Sequence, residues 1–386
     1  MRSKLLQAVC AAAMLAACQS QSRAQGETSS HSSGRPFTVA EVARFDSPWA
    51  MAFLPGSGVP LTNMALLTEK QGRLWLVDVR NGKRVAVSGV PKVLVAGQGG
   101  LGDVAVHPDF AGNRRVYLSY VEPGEGGTSG AVLGYGTLDL ANAAAPVLQG
   151  FKIIWRQTPK VTGNGHFSHR IVFGPDGYLY LTSGERQKFT PAQDLSVNLG
   201  KVLRLTADGA PAPGNPWASR GGVAAQFWTI GHRNLLGLAF APDGRLWESE
   251  MGPKGGDEVN LIAPGRNYGW PRASNGSNYD GSDIPDHRTG DGFEPPKLWW
   301  NPSISPSSLL IYSGDKFPAW RGDGLIGALS GEALIRVDID GDKARKADEW
   351  AMGARIRAVV QGPEGSVYLL DDGESGGRLL RLDPAK

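Results

Sequence analysis

The chain has 386 residues. Its 53 Gly and 26 Pro make up about a fifth of it, while 41% hydrophobic and 20% charged residues leave enough apolar material for a large core. That balance excludes a low-complexity chain and a mostly helical bundle, and it points to many tight turns. The formal net charge is +3, and it falls to +1 without residues 1–17, which carry Arg2 and Lys4 and no acid, so no nucleic acid partner is expected.

The first element in chain order reads as an export signal. Met1-Arg2-Ser3-Lys4 is a positive start, and Leu5 to Ala17 is an apolar run too short for a stable membrane span. The run ends in Leu15-Ala16-Ala17-Cys18, which resembles the lipobox of bacterial lipoproteins, where the Cys is acylated. Residues 1–17 are therefore expected to be a lipoprotein-type signal peptide. Residues 18–36 are a polar tether, and residues 37–386 the folded domain. The expected location is the periplasmic face of a bacterial membrane, held by a lipid on Cys18. Gln19 fits outer-membrane sorting patterns, and a soluble periplasmic protein is the alternative. Cys10 and Cys18 are the only cysteines, so the folded domain has neither a disulfide nor a thiolate metal site.

A repeat organises the rest: an apolar strand, a turn of the Pro-Asp-Gly kind, then a strand of alternating aromatic and aliphatic residues. It reads Val104-Ala105-Val106-His107-Pro108-Asp109, then Val172-Phe173-Gly174-Pro175-Asp176-Gly177, then Ala239-Phe240-Ala241-Pro242-Asp243-Gly244, and finally Val360-Gln361-Gly362-Pro363-Glu364-Gly365. A looser copy is Ala52-Phe53-Leu54-Pro55-Gly56. The prolines at 55, 108, 175, 242 and 363 are spaced by 53, 67, 67 and 121 residues, and the last interval holds a degenerate copy at Ser308-Leu309-Leu310-Ile311-Tyr312. Six units of this kind predict an all-β fold, a six-bladed β-propeller, because radial repetition of small sheets protects their edges. Function would then reside in the loops around the central channel.

Those loops resemble the soluble pyrroloquinoline quinone (PQQ) dependent aldose dehydrogenases, the glucose/sorbosone dehydrogenase family. The resemblance rests on Gly97-Gln98-Gly99-Gly100-Leu101-Gly102, on Gly165-His166-Phe167-Ser168-His169-Arg170, and on Gly231-His232-Arg233-Asn234. It continues through Ser249-Glu250-Met251-Gly252-Pro253, Asp257-Glu258-Val259-Asn260 and Asn267-Tyr268-Gly269-Trp270-Pro271. These motifs keep a consistent order across about residues 38–383. The resemblance implies a six-bladed propeller that oxidises the C1 hydroxyl of an aldose sugar to the lactone, with PQQ and Ca²⁺ as cofactors and an external electron acceptor as partner.

The resemblance assigns roles residue by residue. His166 falls at the family's general base, and a neutral imidazole suits that task near neutral pH; His169 lies close enough to be confused with it. Arg233 and Asn234 match the pair at the quinone oxygens, and Gln98 a glutamine at the substrate and cofactor edge. Arg355 and Arg357 alternate on one strand and so share a face, which suits paired carboxylates. Gly252 and Pro253 match a calcium site built from backbone carbonyls, and Asp257, Glu258 and the Tyr268 carbonyl would form a second one. Trp270, Trp299, Trp300 and Tyr268 are sugar platforms or blade packing. His107 and His232 read as holding turns or the channel wall, and His31 and His287 as loop residues.

One departure stands out. Gly327-Ala328-Leu329 is followed by Ser330, where many relatives place a lysine near a PQQ carboxylate. Two other readings are compatible with a propeller: a calcium-dependent lactone hydrolase, which would need acidic side chains converging on the channel, and a non-catalytic ligand-binding propeller.

Overall fold

In the computed structural model, residues 34–56, 61, 63–372 and 376–385 are described; Cys18, His31 and the whole signal segment lie outside them. Six four-stranded antiparallel sheets follow one another along the chain. The innermost strands are Pro48–Phe53, Leu101–Val106, Ser168–Phe173, Leu235–Phe240, Pro306–Ile311 and Ile356–Gln361, numbered here as blades 1 to 6. Blade 6 is completed from the other end of the chain: Phe37–Phe45 is its outermost strand, paired antiparallel with Gly377–Pro384.

The repeat read from the sequence is the hairpin joining the two inner strands of each blade. In blades 3, 4 and 6 the turn is built alike. Gly174, Ala241 and Gly362 donate their N–H groups to the carbonyls of Tyr178, Arg245 and Ser366, each at 2.8 Å. The glycine closing each turn (Gly177, Gly244, Gly365) has φ between 78° and 88°, a left-handed conformation that costs a side-chain-bearing residue energy. In blade 2 a short helical turn, Phe110–Asn113, replaces that glycine and is capped by Asp109.

Each pair of neighbouring blades shares its own apolar cluster. Leu66, Leu76, Leu118 and Val132 join blades 1 and 2, for example, and Trp247, Val259, Ile326 and Ile335 join blades 4 and 5. Phe45, Leu67, Tyr368 and Leu379 join blade 6 back to blade 1. The second strands, such as Leu179–Ser183 and Val367–Asp371, are buried throughout, whereas outermost strands such as Lys343–Ala351 are largely exposed, with only Ala344 and Trp350 buried there. A sheet sandwiched between two others reads as a continuous apolar run, and a rim strand does not.

Every innermost strand carries a register shift near its start, between Pro48 and Ala50, Leu101 and Val104, Ser168 and Ile171, Leu235 and Gly237, Pro306 and Ser308, and Ile356 and Ala358. A bulge re-aims side chains out of the alternating pattern. Trp49, His169, Leu236 and Arg357, at or beside these bulges, all line one cleft at the start of the inner strands.

Candidate functional site

The cleft has a volume of about 530 Å³. Beneath its wall residues Trp49 and Leu236 lies Arg170, whose guanidinium donates to the Leu236 and Ser307 carbonyls and lies 4.1 Å from the centre of the Trp49 ring. Asp103 balances that buried charge at 3.4 Å and accepts the Ile171 N–H at 2.8 Å. Beyond Arg170 lies a second, largely apolar cavity of about 390 Å³, lined by the later residues of the inner strands.

His166 stands at the edge of the cleft. Its backbone N–H donates to Gln98 Oε1 at 2.7 Å, and both Gln98 and the next residue, Phe167, line the cavity. The loop is strained, with φ of 50° at His166, 59° at Ser168 and 60° at His169, an uncommon state for residues other than glycine and one that clusters at functional sites. Nδ1 of His166 is hydrogen-bonded to Glu185 Oε1. The Glu185 carboxylate also accepts the backbone N–H groups of Gln187, Lys188 and Phe189. Burial pushes the Glu185 carboxyl up, but the His166 hydrogen bond, with the Phe189 N–H and the Arg233 charge, more than offsets it and holds the group below the usual range. An ionised carboxylate only accepts, so Nδ1 carries the proton and Nε2 keeps the lone pair. Burial lowers the pKa of His166 itself, with Glu185 opposing and Arg233 and Arg186 reinforcing the shift, so the ring is a neutral base at neutral pH.

His169 is separated from that role by its surroundings. It is buried in the cleft wall, stacks on Trp49 with ring centres 5.2 Å apart, and its Nδ1 meets Ser119 Oγ at 2.8 Å. Burial lowers its pKa to about 3. Its ring also explains Gly102, where a Cβ would come within 1.9 Å of His169 Cε1. His107 holds the blade 2 turn by accepting the Asp109 N–H at 3.0 Å. His287 lies in a loop, as the sequence suggests; its side chain is enclosed there, with Nδ1 3.7 Å from the Asp291 carboxylate and no hydrogen-bond partner for either ring nitrogen among the described residues.

The other side of the cleft is cationic. Arg355 Nε and Arg357 Nε donate to the two oxygens of Asp372 at 2.9 and 3.1 Å, so the paired arginines do converge, through a carboxylate the sequence did not single out. Lys70, from the turn after the second strand of blade 1, lines the same cavity.

Arg233 and Asn234 belong to a neighbouring wall. Arg233 Nη1 donates to the Met251 and Gly252 carbonyls, and its buried Nε has no partner among the described residues. Asn234 is buried, with its side chain accepting from Ser168 Oγ at 3.2 Å. Trp270 packs face to face with Phe189 and beneath Arg233, whereas Tyr268 and Trp300 are buried as packing. Trp299 is exposed, but it sits on the outermost strand of blade 4, away from the cleft.

The structure divides the acidic residues. Asp257 and Glu258 are consecutive in a strand and so point to opposite faces. The Asp257 carboxylate is saturated: it accepts the N–H groups of Gly252 (2.8 Å), Ile304 and Ser305 (2.7 Å each), and the Ser303 hydroxyl at 3.3 Å. Its place is that of an anchor for the Gly252-Pro253 loop. Gly252 is packed so closely there that a Cβ would lie 2.3 Å from Gly256.

Glu258 instead joins Glu248 and Glu250, all three buried, around the Asn260 amide. Glu248 Oε1 and Asn260 Oδ1 are buried without partners among the described residues. Burial, reinforced by the Glu250 charge, pushes the Glu248 and Glu258 carboxyls well above their usual range. His232 does not compensate as a free ligand, because Nδ1 is engaged by Glu250 and Nε2 by Thr229, each at 2.9 Å. Glu250, Glu258, Gly252 and Tyr268 line one void of about 10 Å³, the size of a single water or ion. The carboxyl oxygens of Glu250 and Glu258 beside a void of that size fit a hard, oxygen-seeking cation such as calcium, which would share the void with the Arg233 guanidinium.

Residues 45–381 match the glucose/sorbosone dehydrogenase family. The chain is 40% identical over 349 residues to the aldose sugar dehydrogenase YliI of Escherichia coli, covering 88% of this chain and 91% of that protein. The chain belongs to the glucose/sorbosone dehydrogenase family. Among solved structures of this group, the apo form of the E. coli soluble aldose sugar dehydrogenase superposes with a TM-score of 0.84 at 39% identity, covering 90% of this chain and 100% of that one. The PQQ-bound form of the Streptomyces coelicolor aldose sugar dehydrogenase gives 0.73 at 30% identity, covering 90% and 98%. As a glucose/sorbosone dehydrogenase the chain is an oxidoreductase on a six-bladed propeller; Glu185, Lys70, Glu248 and Glu250 are residues of the candidate site that the sequence reading did not select.

Proposed function

We infer that the protein oxidises the C1 hydroxyl of aldose sugars to the lactone with PQQ and Ca²⁺, passing electrons to an external acceptor. The observation that carries this reading is a roomy cleft with three cations on one side and, at its edge, a neutral histidine whose tautomer is fixed by a buried carboxylate. When bound, PQQ supplies a hydride acceptor and Ca²⁺ polarises its reactive carbonyl. Arg355, Arg357 and Gln98 would hold the cofactor in the cleft, with Arg233 and Asn234 at the quinone oxygens. His166 takes the sugar hydroxyl proton at Nε2, and Glu185 stabilises the resulting imidazolium. Gly252, Pro253, Glu258 and the Tyr268 carbonyl are the ligands assigned to calcium, while Asp257 holds their loop in place.

The lactone hydrolase reading has one feature in its favour, the cluster of Glu248, Glu250 and Glu258. The void beside Glu250 and Glu258 holds one ion or water and leaves no room for a lactone.

The test is a PQQ titration in millimolar-range calcium, following aldose-dependent reduction of an artificial dye. Saturable activity that a chelator abolishes and calcium restores is expected. Absence of PQQ-dependent turnover, or lactone cleavage without PQQ, overturns the proposal.

Export on a lipid anchor at Cys18 belongs to the same proposal. Among the described residues no helix is long and apolar enough to cross a membrane. Cys18→Ser is expected to move the protein from the membrane fraction to the soluble fraction of the periplasm; an unchanged distribution refutes the anchor.

A further inference from the structure

We propose that Lys70 is a carboxylate-binding residue of the cleft, supplying from blade 1 the cation that blade 5 lacks at Ser330. The inference rests on the PQQ reading above and gives a task to Lys70, which that reading counts among the cleft's cations without assigning it one.

Ser330 is in no position to replace a lysine. Its hydroxyl is engaged with Ser305 Oγ at 2.8 Å and with the Ser303 carbonyl at 3.3 Å, and it carries no charge. Lys70 is held at the cavity wall from both ends. Its backbone N–H donates to the Ser47 carbonyl and its carbonyl accepts from Leu101, each at 3.0 Å, which ties the turn to blade 2. Its stem packs on Gly100, where a Cβ would lie 2.6 Å from Lys70 Cγ, and Nζ donates to the Gly97 carbonyl.

One carbonyl uses one of three ammonium protons. No described carboxylate lies within ion-pair distance of Nζ, whereas most other lysines and arginines near the cleft have one. Burial lowers the pKa of this ammonium, Arg357 acts in the same direction and Asp372 opposes them. Among the described residues lining the cleft, Lys70, Arg355 and Arg357 face a single acid, Asp372. Two positive charges are thus left for a ligand, which calls for at least two carboxylates on it. A charge-assisted bond from a pre-positioned ammonium costs little ordering entropy and favours such a group.

The experiment is calorimetric titration of PQQ into the wild-type protein and into Lys70→Met, Lys70→Gln and Lys70→Arg, with calcium present and no sugar. Glutamine keeps a donor for the Gly97 carbonyl and loses only the charge. Lys70→Met and Lys70→Gln are expected to raise Kd about tenfold or more and to flatten its dependence on salt, while Lys70→Arg stays near wild type. Equal Kd in wild type and Lys70→Gln, at equal melting temperature, overturns the proposal. If the wild type itself fails to bind PQQ, the cofactor reading falls separately. Citrate, a tricarboxylate without a quinone, is then titrated into the same pair. Weaker citrate binding by Lys70→Gln sustains the assignment and equal binding overturns it.

Discussion

Replacing His166 by alanine is expected to lower kcat for aldose oxidation by about 10²–10⁴-fold, with little change in the affinity for PQQ. The ring is built for one task. Its Nδ1 is committed to Glu185, its backbone N–H to Gln98, and no described residue bonds Nε2. Because burial dominates its titration and lowers its pKa, the wild-type enzyme should keep its base unprotonated at neutral pH and lose activity only as pH falls below the ordinary histidine range. Steady-state kinetics of the PQQ-loaded variant, with PQQ affinity measured separately, checks this. A kcat within a few-fold of wild type would remove His166 from the chemistry.

Glu185→Gln is the second large effect. The wild-type carboxylate accepts the His166 Nδ1–H and the Gln187 N–H on one oxygen, and the Lys188 and Phe189 N–H groups on the other. An amide has a single acceptor oxygen, so its NH₂ group must face donors whichever way it turns. If it faces Nδ1, the ring is driven to the tautomer that puts the proton on Nε2 and the base is lost. We expect kcat to fall roughly 10²- to 10⁴-fold, as when a tautomer-fixing carboxylate is made an amide in a catalytic triad. A pH profile separates this from simple loosening of the loop. Glu185 raises the His166 pKa through its hydrogen bond and charge, so removing it should move the acid limb of kcat/KM to lower pH. An acid limb that stays in place, with kcat near wild type, contradicts the assignment of Glu185 as the positioning residue.

The architecture was legible because its signal is local. Pro175-Asp176-Gly177 and its counterparts must turn the chain in a few residues, and the left-handed glycine leaves a mark in the sequence each time. The outer strands left little trace, since rim strands such as Arg84–Val87 are only four residues long. Even the degenerate copy at Ser308-Tyr312 was readable, as it coincides with the inner strand of blade 5.

The site was legible only where a resemblance supplied it. His166, Gln98, Arg355 and Arg357 do gather at one cleft, but nothing in their spacing says so, because blades 2, 3 and 6 bring them together in space. Glu185 is 19 residues from the imidazole it orients, and Lys70 reaches the site from yet another blade. A carboxylate or ammonium in a loop has no pattern that separates it from solvated surface charge. Asp257 and Glu258 are different. Strand alternation alone divides adjacent residues between two faces, and that rule was available before any coordinates. Glu248, Glu250 and Glu258 also carried a readable cue, since three acids within one buried hairpin conflict with its apolar context.

Under the proposed lipid anchor at Cys18, the strand that closes blade 6 would also set how the enzyme meets a membrane. Phe45 leads through Ser47 and Pro48, which line the cleft, so the opposite end of that strand, Phe37, lies at the far face of the disc, beside Pro384. A leash from a lipid-bearing Cys18 would therefore join the domain at the face opposite the cleft. Sugar arriving by diffusion and the acceptor collecting electrons would both approach the open mouth without passing between the protein and the bilayer, and each docking event would leave the mooring undisturbed.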